Sequence, residues 1–370
     1  MKEVSETLFF IGKCLSLSVH PGRADEIRKV IQRENINWER VVWLGSSHYV
    51  IPALFVQFRN NGLLNELPDD LVDYLAEIYQ LNLARNLSIQ KEAIHITSAL
   101  NSIGIAPLFL KGTAHVLDGL YSDPGERMIG DIDFLLPEKD ILPAVEKLIE
   151  HGYFKFHDFD VDLMVNHRHY PRLKNHKTVA AIEIHRQPVS LKYSRKFNFE
   201  VINRDKKKLC GEGEAYVLSD RNQILHNILN AQMNDNAFVL RRIQLRNKYD
   251  LLLLSERESP LEAVIEFGYY QKQLNAYLFV ASNVMGEPGQ INYVNNKSVK
   301  RYYRRLLYFM NKPWMYKGNI VIHFFKARLI RYITLPIRAI YNKAEREALI
   351  WRLTNKSWYV AHLKSWGNMG

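Results

Sequence analysis

Cysteine is scarce in this chain. Cys14 and Cys210 are the only two in 370 residues, and no CxxC spacing occurs. That excludes a disulfide framework and a zinc knuckle. Long apolar runs are missing as well. No stretch reaches the roughly eighteen consecutive apolar residues of a membrane span. The opening "MKEVSETLFFIGKCLSLSVH" has a short apolar run, but it carries Glu3 and Glu6 and lacks an Ala-x-Ala site, which speaks against a secretory signal. There is no internal repeat and no low-complexity tract. Together these absences point to a reducing, cytoplasmic setting, with the inner membrane face as a peripheral option.

Acidic residues are scarce in one part only. From Ile291 to Gly370 there are 16 Lys and Arg against 2 Asp and Glu, a net of +14, although the whole chain carries only +11. The first 290 residues are therefore near neutral, at −3. Such asymmetry points to a polyanionic partner, either nucleic acid or an anionic membrane surface. What is plentiful is apolar surface. At 47% hydrophobic residues and 370 in length, the chain can build two or three packed units.

The expected fold class is α+β, a small mixed sheet flanked by helical regions. Residues 1–103 read as an N-terminal helical region. Its last helix starts after Pro68, with Asp69 or Asp70 as cap, repeats Leu83, Leu87 and Ile94, and ends at Gly104. Residues 104–215 read as the α/β core. "IAPLFLKG" (105–112) is a short strand, and a helical turn follows with Thr113 near its N-cap. "MIGDIDFLL" is a second strand. The next helix is capped by Asp140, lines up Ile141, Val145 and Leu148, and is stopped by Gly152. A polar, histidine-bearing segment spans 157–177, and "TVAAIEIHRQPV" is another strand. Residues 216–290 read as helices that close a cleft, and 291–370 as a basic helical region.

Asp131 and Asp133 stand inside a strand that otherwise reads as buried. An unpaired carboxylate there costs several kcal/mol. Residues i and i+2 of a strand share a face, so the two acids project side by side while Ile132 and Phe134 face a core. "IEIH" repeats the device with Glu183 and His185. If that strand pairs beside the first, three acids share one sheet face. Such a face suits two divalent ions, Mg²⁺ or Mn²⁺, which bind a triphosphate and activate an attacking hydroxyl. The Gly112–Thr113 turn opens a helix whose free N–H groups suit a phosphate.

"LKGTA", "GDIDFLL" and "IEIH" resemble the DNA polymerase β-like nucleotidyltransferase superfamily. The fuller string "LKG…LY…PGER…DIDFLL…GY…EIH" resembles its bacterial branch of uncharacterised nucleotidyltransferases, over roughly residues 5–260. The gap from Thr113 to Asp131 is longer than in the superfamily at large, and Glu183 stands where many members have Asp. The resemblance implies transfer of a nucleoside monophosphate from an NTP, ATP among them, to a hydroxyl, phosphate or amine of an unidentified acceptor (small molecule, sugar, RNA or protein), with release of pyrophosphate. Asp131 and Asp133 then hold both ions. Glu183 completes the nucleophile-side ion and serves as general base. Gly112 and Thr113 cradle the β- and γ-phosphates. Arg127 offers its fork of donors to the triphosphate, and Lys111 either contacts phosphate or ends a strand in solvent. His185 and His169 are expected at the rim, with a hydrogen-bonding role for the first and a solvated loop for the second as the plainer readings. His226 and Asp250 read as structural.

The basic end allows three readings: a helix packed on the body, a helix on an anionic membrane, or an RNA-binding segment with interleaved aromatics. Pro336 is expected to kink or end that helix. Two further classes stand beside the enzyme: a non-catalytic nucleotide- or RNA-binding module, and a peripheral membrane or assembly protein that works through this end.

Overall fold

The computed structural model describes residues 3–156, 168–211, 213–286 and 291–356. The first part of the polar segment expected at 157–177, and the basic region beyond 356, lie outside the described residues. Five helices come first: α1 (Val4–Ser16), α2 (Ala24–Arg33), α3 (Trp38–Ser47), α4 (Ile51–Asn60) and α5 (Asp69–Asn101). The sheet region interleaves β1 (Leu108–Phe109), α6 (Lys111–Leu117), β2 (Ile132–Leu135), α7 (Glu138–Glu150), β3 (Phe154–Lys155), β4 (Leu173–Lys174), β5 (Ile182–His185), α8 (Phe199–Asn203), β6 (Lys206–Lys208) and β7 (Tyr216–Leu218). Then come α9 (Asp220–Leu229), a π-helical turn (Asn230–Asn234), α10 (Ala237–Leu240), α11 (Leu245–Leu254), α12 (Pro260–Phe267), α13 (Gln271–Met285) and α14 (Lys297–Met310). The chain is α+β, with one mixed sheet ordered β3-β4-β5-β2-β1-β7-β6.

At the centre of the sheet β2 pairs antiparallel with β1 and parallel with β5. β2 carries a buried side chain at every position, as a strand covered on both faces requires. Phe134 meets Phe109 edge to face across the β1–β2 pair, with ring centroids 6.0 Å apart. The strands are shorter than the sequence suggests. β1 keeps two residues of 105–112, and β2 begins after Asp131. β6 and β7 close one edge. "KKK" has no apolar alternation to announce a strand, and β7 takes the first three residues of the region expected to be helical from 216.

α5 shows what positions the loop before β2. Leu71, Leu75, Tyr79, Asn82, Asn86, Ile89, Ala93, Ile96 and Leu100 are buried at three- and four-residue spacing. Leu87 and Ile94, apolar in the sequence pattern, are exposed instead. The buried face needs polar groups because it holds a loop. Asn82 donates to the carbonyls of Gly125 and Arg127, Asn86 to those of Pro124 and Arg127, and Arg85 to those of Ile129 and Gly130. Gly125 permits this approach, since a Cβ there would stand 2.6 Å from the Tyr79 ring. The helix begins without a side-chain cap from Asp69, its N-cap being Pro68, and Gly104 turns left-handed (φ +74°) after its end. α7 likewise starts at Glu138 after Pro137, two residues before Asp140, and buries Ile141, Val145 and Leu148 as expected.

One compact unit takes in the described residues up to Asn311, including α14, whose Val299, Tyr302 and Leu306 join the main core. The basic region expected from 291 therefore divides. A second unit contains α15 (Pro313–Tyr341) and α16 (Lys343–Thr354). Pro336 lies within α15, which continues through it to Tyr341.

Candidate active site

β2 and β5 run parallel with Asp133 directly opposite Glu183. Both acids are buried, at 6% and 5% exposure. Asp131 precedes β2 with the same parity as Asp133 and is half-buried. The sheet thus gathers the three acids that the two strands announced. His185, two residues beyond Glu183, is on the same face but fully buried beneath the acids rather than at a rim. Its Nε2 lies 2.8 Å from Asp133 Oδ1 and 3.6 Å from Glu183 Oε2.

Two cations complete the cluster. Lys111 Nζ stands 2.6 Å from Asp133 Oδ1 and 3.8 Å from Glu183 Oε2. To do so Lys111 adopts φ +54°, a left-handed backbone that costs a residue with a Cβ about 1–3 kcal/mol. Arg172, just before β4, sets Nη2 3.1 Å from Asp131 Oδ2, and Nε and Nη2 at 2.6 and 2.5 Å from Glu183 Oε1. Burial works to raise the Asp133 carboxyl, but Lys111 and His185 outweigh it and hold it below the usual range. Burial opposes ionisation of Glu183 too, yet His185, Lys111 and Arg172 hold it well down. Asp131 shifts upward, because burial and its acidic neighbours outweigh Arg172.

Asp133, Glu183 and His185 each offer a ligand atom, all within 4.8 Å of one another. Carboxylate oxygens suit Mg²⁺ or Mn²⁺. His185 fits less well as a ligand. A metal on Nε2 would leave the proton on Nδ1, which is buried with no partner among the described residues. The side chains that come together are thus Asp133, Glu183 and His185, the last also orienting Asp133, and Asp131 stands outside that group.

The other expected residues divide. Gly112 lines the cleft, and a Cβ there would press on the Arg127 guanidinium at 3.4 Å. Thr113 is buried, its hydroxyl donating to the Asp131 carbonyl at 3.2 Å, so it braces β2 rather than facing a ligand. Arg127 borders the cleft with all its nitrogens engaged. Nε and Nη2 donate to the two oxygens of Asp250 at 2.7 and 2.8 Å, and Nη1 to the Met128 carbonyl. His169 bridges its backbone to that of His185 and is half-buried at the cleft wall. His226 is buried, and its Nε2 donates to the Pro188 carbonyl.

The cleft above the acids has a volume of about 580 Å³. Its far wall comes from α9, the π turn and α11 with the residue preceding it: Asn227, Asn230, Asp235, Gln244, Arg246 and Asn247. Arg246 is largely buried and no salt bridge pairs it among the described residues. Its guanidinium lies 4.8 Å above the Tyr49 ring, Nη1 donates to the Met128 carbonyl, and Nε has no partner among the described residues. Burial pulls its pKa down to about 10. Asp235 faces the same cleft, shifted upward by burial. Sequence reasoning missed Arg172, Arg246 and Asp235. Arg246 had one usable signal, its i, i+4 spacing to Asp250 on one helix face. Arg172 was one of several bases in its segment, with nothing to single it out.

The model of the family described as uncharacterised nucleotidyltransferase matches residues 34–279. The chain belongs to that family. The match takes in every side chain of the acid cluster and both walls of the cleft, and it ends within α13. The chain thus has α14, α15 and α16 beyond the family match. No curated protein and no solved structure matches the chain.

Proposed function

We propose that this chain moves a nucleoside monophosphate from a nucleoside triphosphate to an acceptor and releases pyrophosphate. The observation that carries the reading is the Asp133–Glu183 cross-strand pair, with Asp131 beside it, on the floor of a cleft of about 580 Å³ in a nucleotidyltransferase-family chain. A divalent ion held by Asp131, Asp133 and Glu183 would supply charge stabilisation at phosphorus and a lower pKa for the acceptor hydroxyl. Without it, Lys111 and Arg172 keep the carboxylates ionised and in place. Lys111 is close enough to contact a phosphate as well. Arg246, a partly buried cation without a salt bridge among the described residues, is assigned to the triphosphate charge. Arg127 shapes the loop before β2 instead of gripping the nucleotide. Asp235 and the amides across the cleft are assigned to an acceptor that offers hydroxyl or amine donors. Reduced Cys14 and Cys210 accord with a cytoplasmic setting.

The test is pyrophosphate release from each NTP, ATP first, with Mg²⁺ or Mn²⁺ and pools of sugars, small metabolites, RNA and proteins as acceptors. Release that needs the metal and disappears in Glu183→Gln supports the reading. Nucleotide binding with no release in any pool would leave a binding module.

A further inference from the structure

The +14 charge of the C-terminal part is matched by an ordered apolar pattern in α15. Residues 291–344 contain no acid, and α15 carries Lys317, Lys326, Arg328, Arg331 and Arg338. Its apolar residues recur at eleven: Ile322 and Ile333, Leu329 and Ile340, Trp314 and Phe325. Eleven residues are close to three turns at about 3.67 per turn, so the stripe runs nearly straight along the helix. At roughly 100° per residue, Ile322, Leu329, Ile333 and Ile340 fall within about 40° of one another, and Arg331 and Arg338 lie on the opposite side. These four apolar side chains are 57%, 49%, 57% and 68% exposed, and Trp314 is 73% exposed. Only Ala339 of the whole helix is buried. With 29 residues the helix is roughly 43 Å long, and the stripe from Ile322 to Ile340 covers about 27 Å of it.

A straight stripe on a helix with Lys326 at its edge, the other cations on the remaining faces and no acid anywhere has the chemistry of the interface between lipid headgroups and acyl chains. No helix among the described residues is long and apolar enough to cross a membrane, so α15 would lie in the surface plane. Lys326, on the apolar side, can extend its ammonium to the headgroups while its stem stays among the chains. RNA would use the cations and the exposed rings of α15, such as Phe324 and Tyr341, and would leave the aliphatic stripe uncovered.

We propose that α15 docks on an anionic lipid surface, with Ile322, Leu329, Ile333 and Ile340 entering the acyl region and Lys326 meeting anionic headgroups. This holds whether or not the cleft transfers nucleotides.

The experiment is co-sedimentation of the full chain with vesicles of phosphatidylcholine alone or with about one third phosphatidylglycerol, at low and high salt. Wild type is expected to sediment with anionic vesicles, more weakly as salt rises. Leu329→Asp should remove binding at every salt concentration. Lys326→Gln should lower partitioning roughly fivefold on anionic vesicles and leave the neutral ones unchanged. This replacement keeps a polar side chain at its position, so it tests the proposal even if Leu329→Asp disturbs folding. Equal binding of Leu329→Asp and wild type overturns it. So does retention of RNA on filters with no vesicle binding, which would assign the cations to nucleic acid. Concentration-dependent dimerisation lost in Leu329→Asp, again without vesicle binding, would give the stripe to a second copy and likewise overturn the proposal.

Discussion

Asp250→Asn tests whether Arg127 is a structural residue or a nucleotide ligand. Asp250 accepts from Arg127 Nε and Nη2 and from the Tyr121 hydroxyl at 2.6 Å, with His115 Nδ1 3.3 Å away. All four side chains are buried. The substitution leaves the Arg127 guanidinium buried without a counter-charge, and breaking one side of such a pair costs about 3–5 kcal/mol. A unit of about 300 residues has an unfolding entropy near 0.6 kcal/mol/K, so the melting temperature should fall by about 5–8 °C. Arg127→Met should cost a similar amount by stranding Asp250. The double variant Arg127→Met/Asp250→Leu should recover part of the loss, because it removes both charges. Differential scanning fluorimetry gives the four melting temperatures, and a fluorescent nucleotide titration gives the affinities. If Arg127→Met keeps the wild-type melting temperature and loses tenfold or more in nucleotide affinity, the structural assignment is wrong and the guanidinium serves the triphosphate.

Other expectations follow from the same region. Glu126 is buried against Gln57 and Tyr249, and burial raises its pKa from 4.5 to about 7. The folded state thus retains a proton that the unfolded state loses above pH 4.5. Stability should fall as pH rises from about 4.5 to 7, by about 3 kcal/mol in total, and stay low above that. Glu126→Gln should flatten this dependence in denaturant titrations at pH 5 and 8, and an unchanged slope would contradict the assignment. Arg246→Met should raise the KM for nucleotide about tenfold at a stability cost of about 1 kcal/mol, since it removes one hydrogen bond, to the Met128 carbonyl. An unaltered KM would take Arg246 out of the nucleotide site. Thr113→Val removes the bond to the Asp131 carbonyl and should cost about 1 kcal/mol of stability. Pyrophosphate release should fall in kcat with KM unchanged, whereas a KM effect alone would point to direct phosphate contact.

The acids were legible in the sequence because a strand has a period of two. Asp131, Asp133, Glu183 and His185 follow from alternation in two short runs, given that the strands pair. The helix of α7 was legible for the same reason at period 3.6. What was not legible depends on contacts between residues far apart. Arg127 and Asp250 are separated by 123 residues, and nothing local distinguishes a buried guanidinium from a ligand-facing one. The buried face of α5 was misread through Leu87 and Ile94, because its real face carries Asn82 and Asn86 for a loop that folds over it later. Lys111 was visible as a base beside Gly112, but its left-handed backbone, which aims Nζ at Asp133, is set by the junction of β1 with α6.

The central claim is that Asp131, Asp133 and Glu183 form a divalent-ion site on the cleft floor. Electron paramagnetic resonance of Mn²⁺ tests it directly, with the full chain titrated in the presence of a non-hydrolysable NTP analogue. Wild type should bind the ion together with nucleotide. Asp133→Asn should weaken ion binding by a hundredfold or more while retaining the wild-type circular dichroism spectrum. Equal Mn²⁺ binding by Asp133→Asn and wild type would contradict the account.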